Sequence, residues 1–130
     1  MHYYCTLFDR NYLPSGLALF DSLARHCAEF NLAVLCLDET TEQILRILDL
    51  PGLELVSLST LEQWDPELER VRLQRSIVEY YFTCKPVLMK FLAEKYRNAA
   101  RITYLDSDLF YFSDPRKLEQ DYAGSSAALT

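Results

Sequence analysis

From Ile102 to Phe112 the chain is a mostly apolar run that Asp106 and Asp108 interrupt. Ile102, Tyr104 and Leu105 are strand formers, and the run is short, so it reads as a buried strand that breaks at two acids. A core gains nothing from two carboxylates at that point. In extended backbone, side chains two apart point to the same side, so Asp106 and Asp108 can converge while Ser107 faces away. Converging carboxylates repel, and a hard divalent cation relieves the repulsion. The competing reading is a turn begun by Asp106, with Asp108 capping the next segment. Leu109 to Phe112 is apolar and aromatic, a poor surface turn, and this favours a metal or phosphate site.

The preceding chain alternates strand and helix. Tyr3 to Phe8 is apolar at nearly every position, as expected of a parallel strand buried on both faces. Asp9 to Tyr12 is a polar break. Pro14 suits a first helical turn, and Leu13, Leu17, Phe20, Ala24 and Cys27 keep a helical stripe. Leu32 to Leu37 reads as a second strand. Thr40 is the expected cap of the next helix, with Glu42 and Gln43 in its first turn. Pro51-Gly52 is the expected stop. Leu53 to Leu58 is a weaker third strand, followed by a short helix carrying Leu61 and Trp64, the latter read as core. Asp65 to Arg75 is charged and reads as a solvated helix face or connector. Ser76 to Tyr96 is helical in pattern, with Val87, Leu88, Phe91, Leu92 and Tyr96 toward the core. Pro86 predicts that two helices meet there. After the acidic strand, Ser113 to Pro115 turns the chain, Arg116 to Asp121 reads as one or two helical turns, and Ala123 to Thr130 as the start of another strand.

This alternation predicts an α/β fold, a mostly parallel sheet flanked by helices on both faces. Ligands in such sheets bind beyond the carboxyl ends of the strands. Two strand ends carry chemistry, residues 8–12 and residues 106–108. They open on one crevice if their strands are neighbours.

Composition narrows the partners. There are 13 basic and 19 acidic residues and the net charge is -6, which argues against a nucleic-acid-binding surface. An anionic substrate would need a metal or local cations. Cys5, Cys27, Cys36 and Cys84 form no CxxC pair, and none lies near a histidine at zinc spacing. Cys5 and Cys36 read as small core residues, and a reduced, cytoplasmic setting is expected. No secretory signal and no apolar window of membrane-spanning length is visible.

Three stretches, in order, resemble a family. They are Cys5 to Leu23, Tyr81 to Pro86, and Ile102 to Pro115 with its core at Leu105-Asp106-Ser107-Asp108-Leu109. Together they resemble the N-terminal, donor-binding part of GT-A-fold glycosyltransferases, nearest to bacterial enzymes related to glycosyltransferase family eight. The resemblance covers nearly all of the chain. It implies a Rossmann-like GT-A fold, apparently truncated, with residues 1–130 as one nucleotide-sugar-binding domain of a longer enzyme. It implies that Asp106 and Asp108 hold a divalent metal, Mn2+ or Mg2+, bridging the donor's diphosphate. Thr6 and Phe8 would line the nucleotide pocket through backbone groups. Asp9 would accept from the base, Tyr12 would stack on it, and Asn11 in the same loop would also bind the nucleotide-sugar. Ser107 would meet the ribose through its backbone, and Lys85 would meet the donor.

Alternatives stand beside these roles. Asp9 and Asn11 can cap the first helix, Tyr12 can cover the helix start, and Lys85 can be a solvated lysine. His26 near a helix end needs no further role. The family places a later metal ligand, often histidine, beyond this chain's last residue, and neither His2 nor His26 lies where it belongs. The function implied is metal-dependent transfer from a nucleotide-diphospho-sugar, with UDP as the expected carrier, to an unidentified glycan, lipid or protein acceptor. A haloacid-dehalogenase-type phosphatase or phosphotransferase, a non-catalytic sugar-nucleotide module and a receiver-like domain are the rivals. In the phosphatase Asp106 would be nucleophile and Asp108 general acid. The expected location is cytoplasmic or peripheral at the inner membrane. A truncated sheet would leave an unpaired edge and favour self-association.

Overall fold

The computed structural model describes residues 1–99 and 101–107. Asp108, the segment 109–115, the expected helical turns at 116–121 and the expected strand at 123–130 lie outside the described residues.

Strand β1 (His2–Phe8) runs into a short 3-10 helix (Arg10–Tyr12) and helix α1 (Leu13–His26). Strand β2 (Phe30–Cys36) leads to α2 (Glu39–Leu48), and β3 (Leu53–Ser57) leads to α3 (Leu58–Trp64). Helices α4 (Glu67–Arg72) and α5 (Ile77–Lys95) precede β4 (Ile102–Tyr104). The four strands form one parallel sheet in the order β3-β2-β1-β4. Strand β1 is therefore interior. Cys5 lies between Ala33 and Tyr104, and its carbonyl also accepts from the Leu105 amide at 2.9 Å. Two neighbours and two covered faces explain why β1 shows no polar-apolar alternation.

The two faces are separate cores. Tyr4, Phe8, Leu32 and Val34 pack with Leu19 and Leu23 of α1 and Leu45 of α2. Cys5, Ala33, Leu35 and Tyr104 pack with Leu61, Leu68 and the α5 stripe of Tyr80, Cys84, Leu88 and Leu92. Each fully buried leucine contributes about 1.5–3 kcal/mol relative to exposure. Cys5 and Cys36 are buried as expected, and burial pushes both thiols up to about 12.

Four local expectations need correction. Helix α2 is capped by Asp38, not Thr40; the Asp38 carboxylate accepts from the Thr41 amide at 2.8 Å. A charged acceptor two residues earlier outcompetes the threonine hydroxyl for the free amides of the first turn. The helix ends before Pro51-Gly52, because Asp49 takes the left-handed conformation and donates its amide to the Leu45 carbonyl. Helix α5 runs unbroken through Pro86. Pro86 and Phe82, one turn apart, are both exposed, so the carbonyl freed at Phe82 lies on the outer side of the helix. Trp64 is 37% exposed and meets Phe91 edge-on instead of filling the core. The start of α5 is fixed by a reciprocal capping box between Ser76 and Glu79.

Helix α5 is anchored at both ends. Near its start the Tyr80 hydroxyl donates to the Glu62 carboxylate, which also pairs with Arg72 at 3.0 Å. At its end Lys95 and Tyr96 donate to Glu54 on β3, and Asn31 of β2 donates to Glu54 at 2.9 Å. Burial alone would raise the Glu54 carboxyl, but these donors outweigh it and hold the pKa below the ordinary glutamate value. The stabilisation is then present above the unfolded-state pKa and is lost as pH falls through the folded one. Glu54→Gln is expected to lose about 1–2 kcal/mol at pH 7. Urea unfolding at pH 7 and pH 3 checks this: the gap between wild type and variant should narrow at the lower pH.

Candidate functional site

A cavity of about 530 Å³ opens at the carboxyl ends of β1 and β4. Because β1 and β4 are neighbours, the loops that leave them share one crevice, as the sequence expectation required. Phe8, Asp9 and Tyr12 form the β1 side. Tyr104, Asp106 and Ser107 form the β4 side. The first turns of α5 close the third side with Ile77, Val78, Tyr81, Phe82 and Lys85. Strand β4 ends at Tyr104 and Ser107 begins a turn.

The β1 side is held by capping hydrogen bonds. The Asp9 carboxylate accepts from the Asn11 amide at 2.9 Å and caps the 3-10 helix. Asp38, beyond the end of β2, accepts from the Arg10 amide at 3.0 Å while capping α2. It thereby ties the loop that carries Tyr12 to the neighbouring strand's exit. Burial would raise the Asp38 carboxyl, but hydrogen bonds from Thr41 and the Arg10 amide hold it below the ordinary value. Tyr12 is 57% exposed at the cavity. Phe8 is buried, and its ring packs where α1 presents Gly16; a Cβ there would sit 2.4 Å from two ring carbons.

Lys85 and Asp106 face each other across the floor, Nζ to Oδ1 3.9 Å. The ammonium also lies 4.8 Å from the Phe82 ring centroid and 4.9 Å from that of Tyr104. Burial, then the negative charge of Asp106, raises the Tyr104 phenol above its ordinary value. Burial and the charges of Asp9 and Asp38 raise the Tyr81 phenol likewise.

Of the residues singled out in the sequence, the structure brings Phe8, Asp9, Tyr12, Lys85, Asp106 and Ser107 to this cavity. Thr6 is fully buried within β1 and is not among the lining residues. Asn11 lies beside the cavity in the 3-10 helix, its amide turned to Asp9. Asp108 lies outside the described residues. Among the described residues, no three acidic, histidine or cysteine side chains gather at metal-ligand distance. The sequence reading missed Asp38 and the apolar lip of Ile77, Val78 and Phe82. Those three lie off the buried stripe of α5, and that surplus of apolar residues was a usable signal.

No family model matches the chain. Two curated proteins of Bacillus subtilis (strain 168) are similar to it: uncharacterized protein YfnD, 30% identical over 128 residues, and uncharacterized protein YfnF, 31% over 127. Each match covers 98% of this chain but only 40% and 41% of the relatives, so the chain spans about two fifths of their length. Among solved structures, mouse xyloside xylosyltransferase 1 in its apo form superposes with a TM-score of 0.56 at 17% identity, over 93% of this chain and 47% of that one. The WbbM bifunctional glycosyltransferase, also apo, superposes with a TM-score of 0.52 at 18% identity, over 92% of this chain and 20% of that one. The described part of the chain thus has an α/β fold of the GT-A-like kind, shared with part of each of these glycosyltransferases.

Proposed function

We propose that the chain is the donor-binding part of a metal-dependent glycosyltransferase that uses a nucleotide-diphospho-sugar, UDP-linked in the first instance. The observation that carries this reading is the convergence of the β1 exit loop, the β4 exit loop and Lys85 on one cavity. A nucleoside diphosphate needs an aromatic surface for its base and cations for its phosphates. Tyr12 offers the exposed ring, and Asp9, already the cap of its loop, fixes where that ring stands. Phe8 lines the same side, with Thr6 and Asn11 as supports of the strand and loop. Ser107 opens its turn beside the pocket, where its backbone can meet the ribose.

The phosphate end is short of positive charge. Among the described lining residues Lys85 is the one cation, set against Asp9 and Asp106. One ammonium cannot balance a diphosphate in a crevice that already holds two carboxylates. Asp106 fits a hard cation: it offers carboxylate oxygens, is half-exposed at the cavity, and meets its lysine neighbour only at 3.9 Å. Asp108 is the proposed second ligand. A bound Mn2+ or Mg2+ would supply charge neutralisation of the departing diphosphate. The chain's own residues position the donor: Tyr12 at the base, Lys85 at the phosphates, and the α5 lip shielding the crevice from water.

The chain spans two fifths of its relatives, and the transfer to an acceptor is proposed for the whole protein. Calorimetric titration of UDP and UDP-sugars, with and without Mn2+, tests it. Metal-dependent binding is expected, and Asp108→Asn should remove it. Equal binding in excess chelator would reject the role given to the acid pair. Turnover of p-nitrophenyl phosphate that disappears in Asp106→Asn would favour phosphoryl chemistry instead.

A further inference from the structure

Phe82 is an anomaly of the cavity lip. It is 62% exposed, on a helix whose buried stripe runs through Tyr80, Cys84, Leu88 and Leu92. It makes no part of either core. Yet its ring stands one helical step from Lys85, at i and i+3, where side chains on one helix meet. That spacing exists because α5 continues through Pro86 instead of breaking before it.

The Lys85 ammonium is held between rings from two different elements. Phe82 approaches from α5 at 4.8 Å and Tyr104 from β4 at 4.9 Å, both within cation-π range. Asp106 lies at 3.9 Å, beyond hydrogen-bond length, so the ammonium is attracted but not bonded to it. The rings therefore fix where the charge sits, and they leave its N–H donors uncommitted to Asp106. Lys85 keeps 27% of its side chain exposed, at the cavity. A flexible lysine would otherwise lose much of its rotamer freedom on meeting an anion.

We propose that Phe82 is a positioning residue: with Tyr104 it cages the Lys85 ammonium and presents it, already ordered, to an anionic ligand in the cavity. The ligand class is a diphosphate, and that part rests on the donor-binding reading given above. The role explains the exposed ring without assigning it any contact with the reacting groups.

The test separates the cage from its ligand. In the full chain, with lysine labelled at the ε-carbon, the Lys85 ε-methylene protons should resonate upfield of the other lysines because of the two rings. Lys85→Met assigns the signal by removing it. Phe82→Leu should move the signal back toward the other lysines, and Phe82→Trp should keep it upfield. Because Phe82 is outside both cores, neither variant removes core packing. In parallel, inorganic pyrophosphate is titrated in the presence of Mg2+. Phe82→Leu should weaken binding about two- to fivefold, and Phe82→Trp should restore it. A signal that stays put in Phe82→Leu overturns the cage. A signal that moves while both variants bind pyrophosphate as the wild type does overturns the positioning role. A wild-type chain with the ring-shifted signal but no affinity for pyrophosphate would reject the diphosphate reading and leave the cage standing.

Discussion

Asp106→Asn is expected to weaken UDP binding in the presence of Mn2+ by roughly a hundredfold, close to 3 kcal/mol. The substitution keeps the shape of the side chain and removes its charge. In excess chelator the same variant should bind UDP at least as well as the wild type does. The reason is electrostatic: without a cation, Asp106 repels the diphosphate and draws on the ammonium of Lys85 at 3.9 Å. Removing the charge releases Lys85 for the anion. The two arms thus change in opposite directions, which loss of folding cannot imitate. Calorimetry in both conditions reads them. A variant that keeps the wild-type dependence on Mn2+ would show that the cation is held elsewhere.

Gly16→Val is expected to lower stability by about 3 kcal/mol, at the upper end for overpacking. For a chain of this size that is a fall of roughly 10 °C in Tm. The Cβ alone would sit 2.4 Å from two carbons of the Phe8 ring, and that ring is buried in the α1 face of the sheet. Phe8 also lines the cavity, so the survivors should bind nucleotide less well. Phe8→Leu should relieve part of the clash, and a double-mutant cycle between the two positions should show strong coupling. Independent losses at the two positions would mean that Gly16 is not what seats the ring.

The sequence made the sheet readable because its parallel strands are buried on both faces, and such strands write themselves as unbroken apolar runs. Tyr3 to Phe8 and Leu32 to Leu37 needed no further help. Boundaries were less legible where two local signals compete. At the start of α2, Thr40 and Asp38 both look like caps, and only the hydrogen bond to Thr41 decides between them. Pro86 reads as a helix break because proline removes an amide donor, whereas here Pro86 and Phe82, whose carbonyl it frees, are both exposed and the helix continues. Trp64 reads as core because a large ring usually is, whereas here it lies against Phe91 at the surface. The site was legible as two clusters at strand ends, since strand order alone decides whether such clusters meet. On the third wall only Lys85 was expected, through the family resemblance, and Ile77, Val78 and Phe82 were not. All four stand on α5, which runs unbroken through Pro86 and is anchored through Glu62 and Glu54.

The order β3-β2-β1-β4 also bears on how the chain is made. Tyr3 pairs with Ile102, so one side of the opening strand must wait for a partner about a hundred residues downstream. At ribosomal rates of about 5–20 residues per second, that delay is roughly 5–20 s. During this interval β2 and β3 can join from the other side, while the backbone groups meant for β4 face solvent. The newborn polypeptide therefore carries an adhesive flank until Ile102 has followed, and its yield in a cell should depend on chaperone supply more steeply than the finished sheet would suggest.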